Sequence, residues 1–178
     1  MKNAIFKGLK LGCLVLAAQM ANAATLPKEG PTNLLLCLAG DAPPTMIFSK
    51  EHMLGTLAWT GALWNVTPGG PFDAMSAECG GHYSVSPTGV DSVGQCQYMD
   101  ADGDKMLVGI PQNHNGNGTW NYISGTGKYT GISGGGEFKP MRQLPPAISP
   151  GKAVVCSAAT GTYKIKYESL KVGVELLC

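Results

Sequence analysis

The chain has 178 residues, 25 of them glycine, with 14% charged residues and a formal net charge of +1. That length suits one domain with room for a substantial core, and so few charges argue against long surface helices, which draw on Glu, Lys and Arg. Nucleic acid and anionic membrane are excluded as main partners, because both call for a basic surface.

Lys2, Lys7 and Lys10 make a basic start, Leu11–Ala18 is a short apolar run, and Ala21-Asn22-Ala23 is a small-residue A-x-A site. This pattern predicts a cleavable signal peptide over residues 1–23, with an apolar run too short to cross a bilayer. Cleavage removes three of the 13 basic residues and none of the 12 acidic ones, so the mature charge becomes −2. No later stretch has the length and apolarity of a transmembrane helix. The expectation is therefore an exported protein, periplasmic or extracellular, without stable membrane insertion.

Residues 24–32 read as a polar leader containing Pro27 and Pro31, and residues 33–178 as one β domain. Strand candidates follow in order: Asn33–Leu38, Thr45–Ser49, Thr56–Val66, Ser76–Ser86, Val93–Tyr98, Lys105–Ile110, Thr119–Ser124 and Ile132–Phe138. Each is bounded by Gly, Pro, Asn or Asp, at roughly the 8–12-residue spacing of a sandwich or barrel. Lys139–Lys152, with Pro140, Pro145, Pro146 and Pro150, reads as a crossing loop. The last segment alternates most clearly. Tyr163, Ile165 and Tyr167 share one face of Thr162–Glu168, and Leu170, Val172, Val174 and Leu176 share one face of Leu170–Leu177. Period-two alternation means a sheet with one buried face and one wet face.

Few residues suggest chemistry. Asp100, Asp102 and Asp104 are spaced like calcium ligands. However, Lys105 stands where the loop glycine belongs and Pro111 where the bidentate Glu belongs. A hairpin turn accounts better for Asp100-Ala101-Asp102-Gly103-Asp104, and the three carboxylates remain weak metal candidates. Gly125-Thr126-Gly127-Lys128-Tyr129 fits no phosphate-loop pattern. His52, His82 and His114 are scattered singly. No cofactor is expected. Strand aromatics Trp59, Trp64, Trp120 and Tyr122, with Tyr129, are core or cavity-lining candidates, since a mid-sized barrel can hold one small ligand.

Cys96–Lys105 (CQYMDADGDK), followed by Ser124–Gly136 (SGTGKYTGISGGG), resembles the bacterial allene oxide cyclase barrel-like proteins, distant relatives of plant allene oxide cyclases and dirigent proteins. The Pro27–Gly30 leader, the Gly69–Cys79 stretch and the Thr160–Lys164 segment extend the likeness, most closely to exported proteobacterial proteins of this type. The resemblance implies an antiparallel barrel of about eight strands with a central cavity. It carries over no catalytic residue, because no positions here match the acid and polar groups of the plant cyclases or the charged cavity residues of dirigent proteins.

Cleavage removes Cys13 and leaves five cysteines, of which Cys79 and Cys96 are the most readily paired. They lie on neighbouring strands of one hairpin whose centre falls between Pro87 and Thr88, so they should face each other across antiparallel strands. In a closed barrel the first and last strands meet, which predicts Cys37–Cys156. Cys178 is then left over, free or available for a covalent dimer.

Three functions compete. The first is a non-catalytic exported barrel that binds a small apolar or amphipathic molecule. The second is a cyclase- or dirigent-like enzyme, which needs a titratable group inside an apolar cavity; Glu78, His82 and Glu137 are its strand-borne candidates. The third is a structural or surface-interaction protein. If Cys178 is the odd thiol, Cys178→Ser is expected to abolish a covalent dimer on non-reducing gels; a dimer that persists assigns the unpaired thiol elsewhere.

Overall fold

The computed structural model describes residues 26–113, 116–141 and 152–166. Among these residues nine strands run β1 (Glu29–Asp41), β2 (Pro44–Ser49), β3 (His52–Asn65), β4 (Met75–Ser86), β5 (Gly89–Met99), β6 (Lys105–Gln112), β7 (Gly118–Gly125), β8 (Ile132–Pro140) and β9 (Lys152–Ile165), with a 3-10 turn at Gly127–Tyr129. They form one antiparallel sheet in the order β1-β9-β8-β7-β6-β5-β4-β3-β2, and an extra pairing of β1 with β3 closes eight of them into a barrel. Among the described residues no helix is long and apolar enough to cross a membrane.

Closure depends on the length of β3. Its C-terminal part, from Ala58 to Asn65, pairs with β1, while its N-terminal part, from His52 to Gly55, pairs with β2. Strand β2 thus lies outside the barrel and continues the line of β1. Its side chains from Pro44 to Phe48 are exposed, including Met46, Ile47 and Phe48. Glycines set the approach at the closing seam. A Cβ on Gly61 would run into the Cys37 carbonyl, and one on Gly40 would come to 2.7 Å from the Trp59 ring.

The two disulfides among the described residues are the two that the sequence predicts. Cys37 and Cys156 face each other in the β1–β9 register with Cα atoms 4.1 Å apart. Cys79 and Cys96 do so in the β4–β5 register at 4.0 Å. The β4–β5 hairpin turns at Pro87-Thr88, with Ser86 opposite Gly89, which is the register that the cysteines imply.

Four strands begin well before expectation: β1 at Glu29 rather than Asn33, β3 at His52 rather than Thr56, β5 at Gly89 rather than Val93, and β9 at Lys152 rather than Thr162. The inward positions of the early part of β9 are Val155, Ser157, Ala159 and Gly161, mostly too small to register as a strand pattern. At Gly161 a side chain is excluded because the Trp120 ring lies over it. His114, most of the expected Pro-rich loop, Tyr167, Leu170–Leu177 and Cys178 fall outside the described residues.

One end of the barrel is plugged. The loop between β3 and β4 folds over it and inserts Phe72, which is 3% exposed and packs its ring 4.8 Å from Tyr163, 5.8 Å from Tyr129 and 5.9 Å from Tyr122. Phe72 and Ala74 adopt left-handed backbone angles to do so, with φ of 63° and 55°. Hydrogen bonds hold the loop in this shape. Asp73 accepts the N–H groups of Asn65 and Gly69 at 3.1 and 2.7 Å, and the Asn65 side chain donates to the Pro71 carbonyl at 2.7 Å. Phe72→Ala should destabilise the protein by about 3–5 kcal/mol. Ala74→Gly should stabilise it by about 1 kcal/mol by removing the left-handed strain. Denaturant unfolding of both variants checks the pair.

Candidate functional site

Phe72, Met75, Met106, Tyr129, Ile132, Tyr163 and Ile165 are buried toward the plugged end. Toward the other end, where β1 finishes and β9 starts, the inward side chains do not fill the barrel. A cavity of about 100 Å³ remains. Leu36, Leu57 and Trp59 form one wall, Val108 and Ile110 face them, and Val155, Ser157 and Trp120 contribute from β7 and β9. The Cys79–Cys96 disulfide is part of the lining, whereas Cys37 and Cys156, at odd spacing from inward Leu38 and Val155, sit on the outer face. Ser92 and Gln112 are opposite each other in the β5–β6 register at the far end of the lining.

Strand parity sorts the predicted residues. Trp59, Trp120 and Tyr122 point inward and line the cavity. Trp64 does not: it is separated from Trp59 by an odd number of positions, so it lies on the opposite face of β3 and is 40% exposed. Glu78 and His82 alternate with inward Ala77, Cys79 and Gly81 and are exposed on the outer face. Glu137 precedes buried Phe138 and is exposed too. None of the three carboxylate and imidazole candidates reaches the cavity. Tyr129 is buried beneath the plug rather than in the cavity wall.

The lining residues missing from the sequence reading are mostly aliphatic, Leu36, Leu57, Ile110 and Val155 among them, with aromatic Tyr98 and Phe138 and polar Ser92, Gln112 and Ser157. Leu34-Leu35-Leu36 hides its parity because the outward residue is also leucine. The signal that could have found the others is the disulfide register, which fixes Cys79 and Cys96 on one face and, by alternation, their neighbours.

The described lining contains no carboxylate, imidazole, amine or guanidinium. Its titratable groups are the phenols of Tyr98 and Tyr122, and burial pushes both above the ordinary phenol range. They are protonated at physiological pH.

The aspartate turn is built differently from a metal site. Asp100 Oδ1 accepts the N–H groups of Asp102 and Asp104 at 2.9 and 3.1 Å. Its Oδ2 accepts the Tyr129 hydroxyl at 2.8 Å and pairs with Lys128 Nζ at 2.8 Å. Asp102 pairs with the same ammonium at 2.5 Å, and Asp104 Oδ2 accepts the Lys128 N–H at 3.1 Å. The carboxylates therefore serve as turn acceptors and as partners of Lys128. No group of three or more metal-ligating side chains occurs among the described residues. Lys105 and Thr126 complete the junction: the Lys105 N–H donates to Thr126 Oγ1, and the Thr126 N–H donates to the Lys105 carbonyl, both at 2.9 Å. Gly127, at φ 51°, brings the backbone so close that any Cβ would collide with the Asp104 carboxylate. The two segments that carry the family resemblance are thus the two halves of one latch.

No family model matches the chain, and no curated protein matches it. It is similar to the solved structure of the pterocarpan synthase dirigent protein GePTS1, at 14% identity and a TM-score of 0.48, over 80% of this chain and 89% of that one. It is also similar to the pterocarpan synthase dirigent protein PsPTS1, at 10% identity and a TM-score of 0.48, over 80% of this chain and 99% of the other.

Burial raises the Asp100 pKa, but hydrogen bonds from Lys128, Tyr129 and the Asp104 N–H, with the Lys128 charge, outweigh it and hold the carboxyl below its ordinary value. The stabilisation is fully present above about pH 4, the unfolded value, and is lost as pH falls through the lower folded value. Asp100→Asn should therefore cost about 1.5–3 kcal/mol at neutral pH and flatten the acid limb of the stability curve below about pH 4. Unfolding free energies measured from pH 2 to pH 7 check this.

Proposed function

We propose that this exported barrel is a non-catalytic binder of a small, compact apolar molecule, held in the unplugged half of its interior. The motifs that resemble allene oxide cyclase-like barrels belong to the frame of this reading and not to a reaction. The observation that carries it is the cavity: apolar, inside the barrel, and set apart from the plugged half by its position and not by a separate domain. Ligand sites are commonly concave and mostly apolar with a few polar groups, and Ser92, Gln112 and Ser157 are such groups here. At about 100 Å³ the cavity is smaller than the dry cavity of about 150 Å³ that accommodates benzene, so it suits a short branched chain, and a single ring where the lining opens toward the unplugged end.

The enzyme alternative is disfavoured by the same wall. General acid–base work near neutral pH calls for a group titrating there, and the described lining offers only raised phenols. Export is supported by the two disulfides, which persist in oxidising compartments. The choice between periplasm and extracellular medium stays within this proposal, to be decided by fractionation.

Binding of a ligand to the folded state alone raises its stability by mass action. Toluene is expected to raise the melting temperature of the full chain in a dose-dependent way, and Ser157→Leu, which fills the cavity, is expected to remove that response. An equal response in the filled variant would place binding elsewhere and overturn the proposal.

A further inference from the structure

Two indole donors on residues that line the cavity have nothing to receive them. Trp59 Nε1 and Trp120 Nε1 are buried without a hydrogen-bond partner, and both side chains line the cavity. Trp120 is 7% exposed. In the closed strand order, β3 and β7 are four steps apart in either direction, so the two indoles stand on opposite walls.

The fold explains why neither finds an acceptor. In a closed barrel the backbone carbonyls of neighbouring strands are taken up by the ladder. The Trp120 ring lies over Gly161 and the Trp59 ring over Gly40, each with a ring carbon 2.7 Å from where a Cβ would stand. The glycines make room for indoles, and no side-chain oxygen is placed to meet them. An indole nitrogen can only donate, and a buried donor left unpaired is unfavourable. Phenylalanine would fill similar apolar space without that penalty. Buried unpaired polar groups in a native protein call for a specific reason.

We infer that the ligand is an uncharged molecule with a compact apolar body and an acceptor oxygen, a ketone, ester or ether, received by the indole N–H groups of Trp59 and Trp120. An anion is a poor fit, because the described lining carries no cation to compensate for the lost hydration. The inference rests on the binding function proposed above and adds the ligand's chemical class.

Ethylbenzene and acetophenone have nearly the same shape and differ by one carbonyl oxygen. Titrated calorimetrically into the full chain, acetophenone should bind about tenfold more tightly, the scale of a net hydrogen bond. Trp120→Phe and Trp59→Phe should each weaken acetophenone and leave ethylbenzene unchanged. If a variant fails to fold, the wild type still decides: both probes share a ring current, so the indole N–H resonances of both tryptophans should move further downfield with acetophenone than with ethylbenzene, the direction a hydrogen bond gives. Equal affinity for the two probes, with equal indole shifts, overturns the acceptor inference and leaves the cavity proposal standing. Failure of both probes to bind overturns the cavity proposal itself. Benzoate should bind at least tenfold more weakly than acetophenone; equal binding would overturn the uncharged class.

Discussion

The pairing of β1 with both β3 and β9 is the constraint on which everything else rests. It turns an open sheet, with two hydrogen-bonding edges, into a ring of eight strands with none. Closure divides every strand into an inner and an outer face, so parity alone assigns each side chain to a core or to solvent. Because β3 is longer than the β1 ladder, β2 is left outside as a short flap with its apolar tip exposed. Bare backbone at Gly40 and Gly61 permits the close approach at the seam, and the Cys37–Cys156 bridge fastens β1 to β9 from outside.

Much of this was legible in the residues, and unevenly so. The two cysteine pairs could be read because each follows from a register or a closure argument. Asp100–Asp104 and Gly125–Tyr129 were recognisable as turns, but their mutual docking through Lys128 was not, since no local pattern links residues so far apart in sequence. Trp59 and Trp64 were grouped although their odd spacing on one strand assigns them to opposite faces, information that the sequence itself contained. The early part of β9 carries little strand signature because its inward positions include small Ser157, Ala159 and Gly161, the last of them bare where the Trp120 ring lies over it.

The two ends of the barrel divide the work. At one end, aromatic packing around Phe72 and the Lys128–aspartate latch tie side chains into the fold. At the other, side chains stop short of one another and two indole donors are left over.

The placement of β1 also bears on how the chain reaches this shape. β1 is made first, yet one of its two partners is the last described strand, with Cys37 and Cys156 separated by 119 positions. A growing chain can form the β3–β4–β5–β6 meander as each hairpin emerges, while β1 pairs on one side only. Until β9 arrives, the half-built sheet presents two unsatisfied edges, the arrangement most prone to pair with another molecule. Such non-local topologies fold slowly. Strand β9 therefore acts as a release step: only a chain that includes it can cover these edges, and one cut short before it is left with the adhesive surfaces of an unfinished sheet.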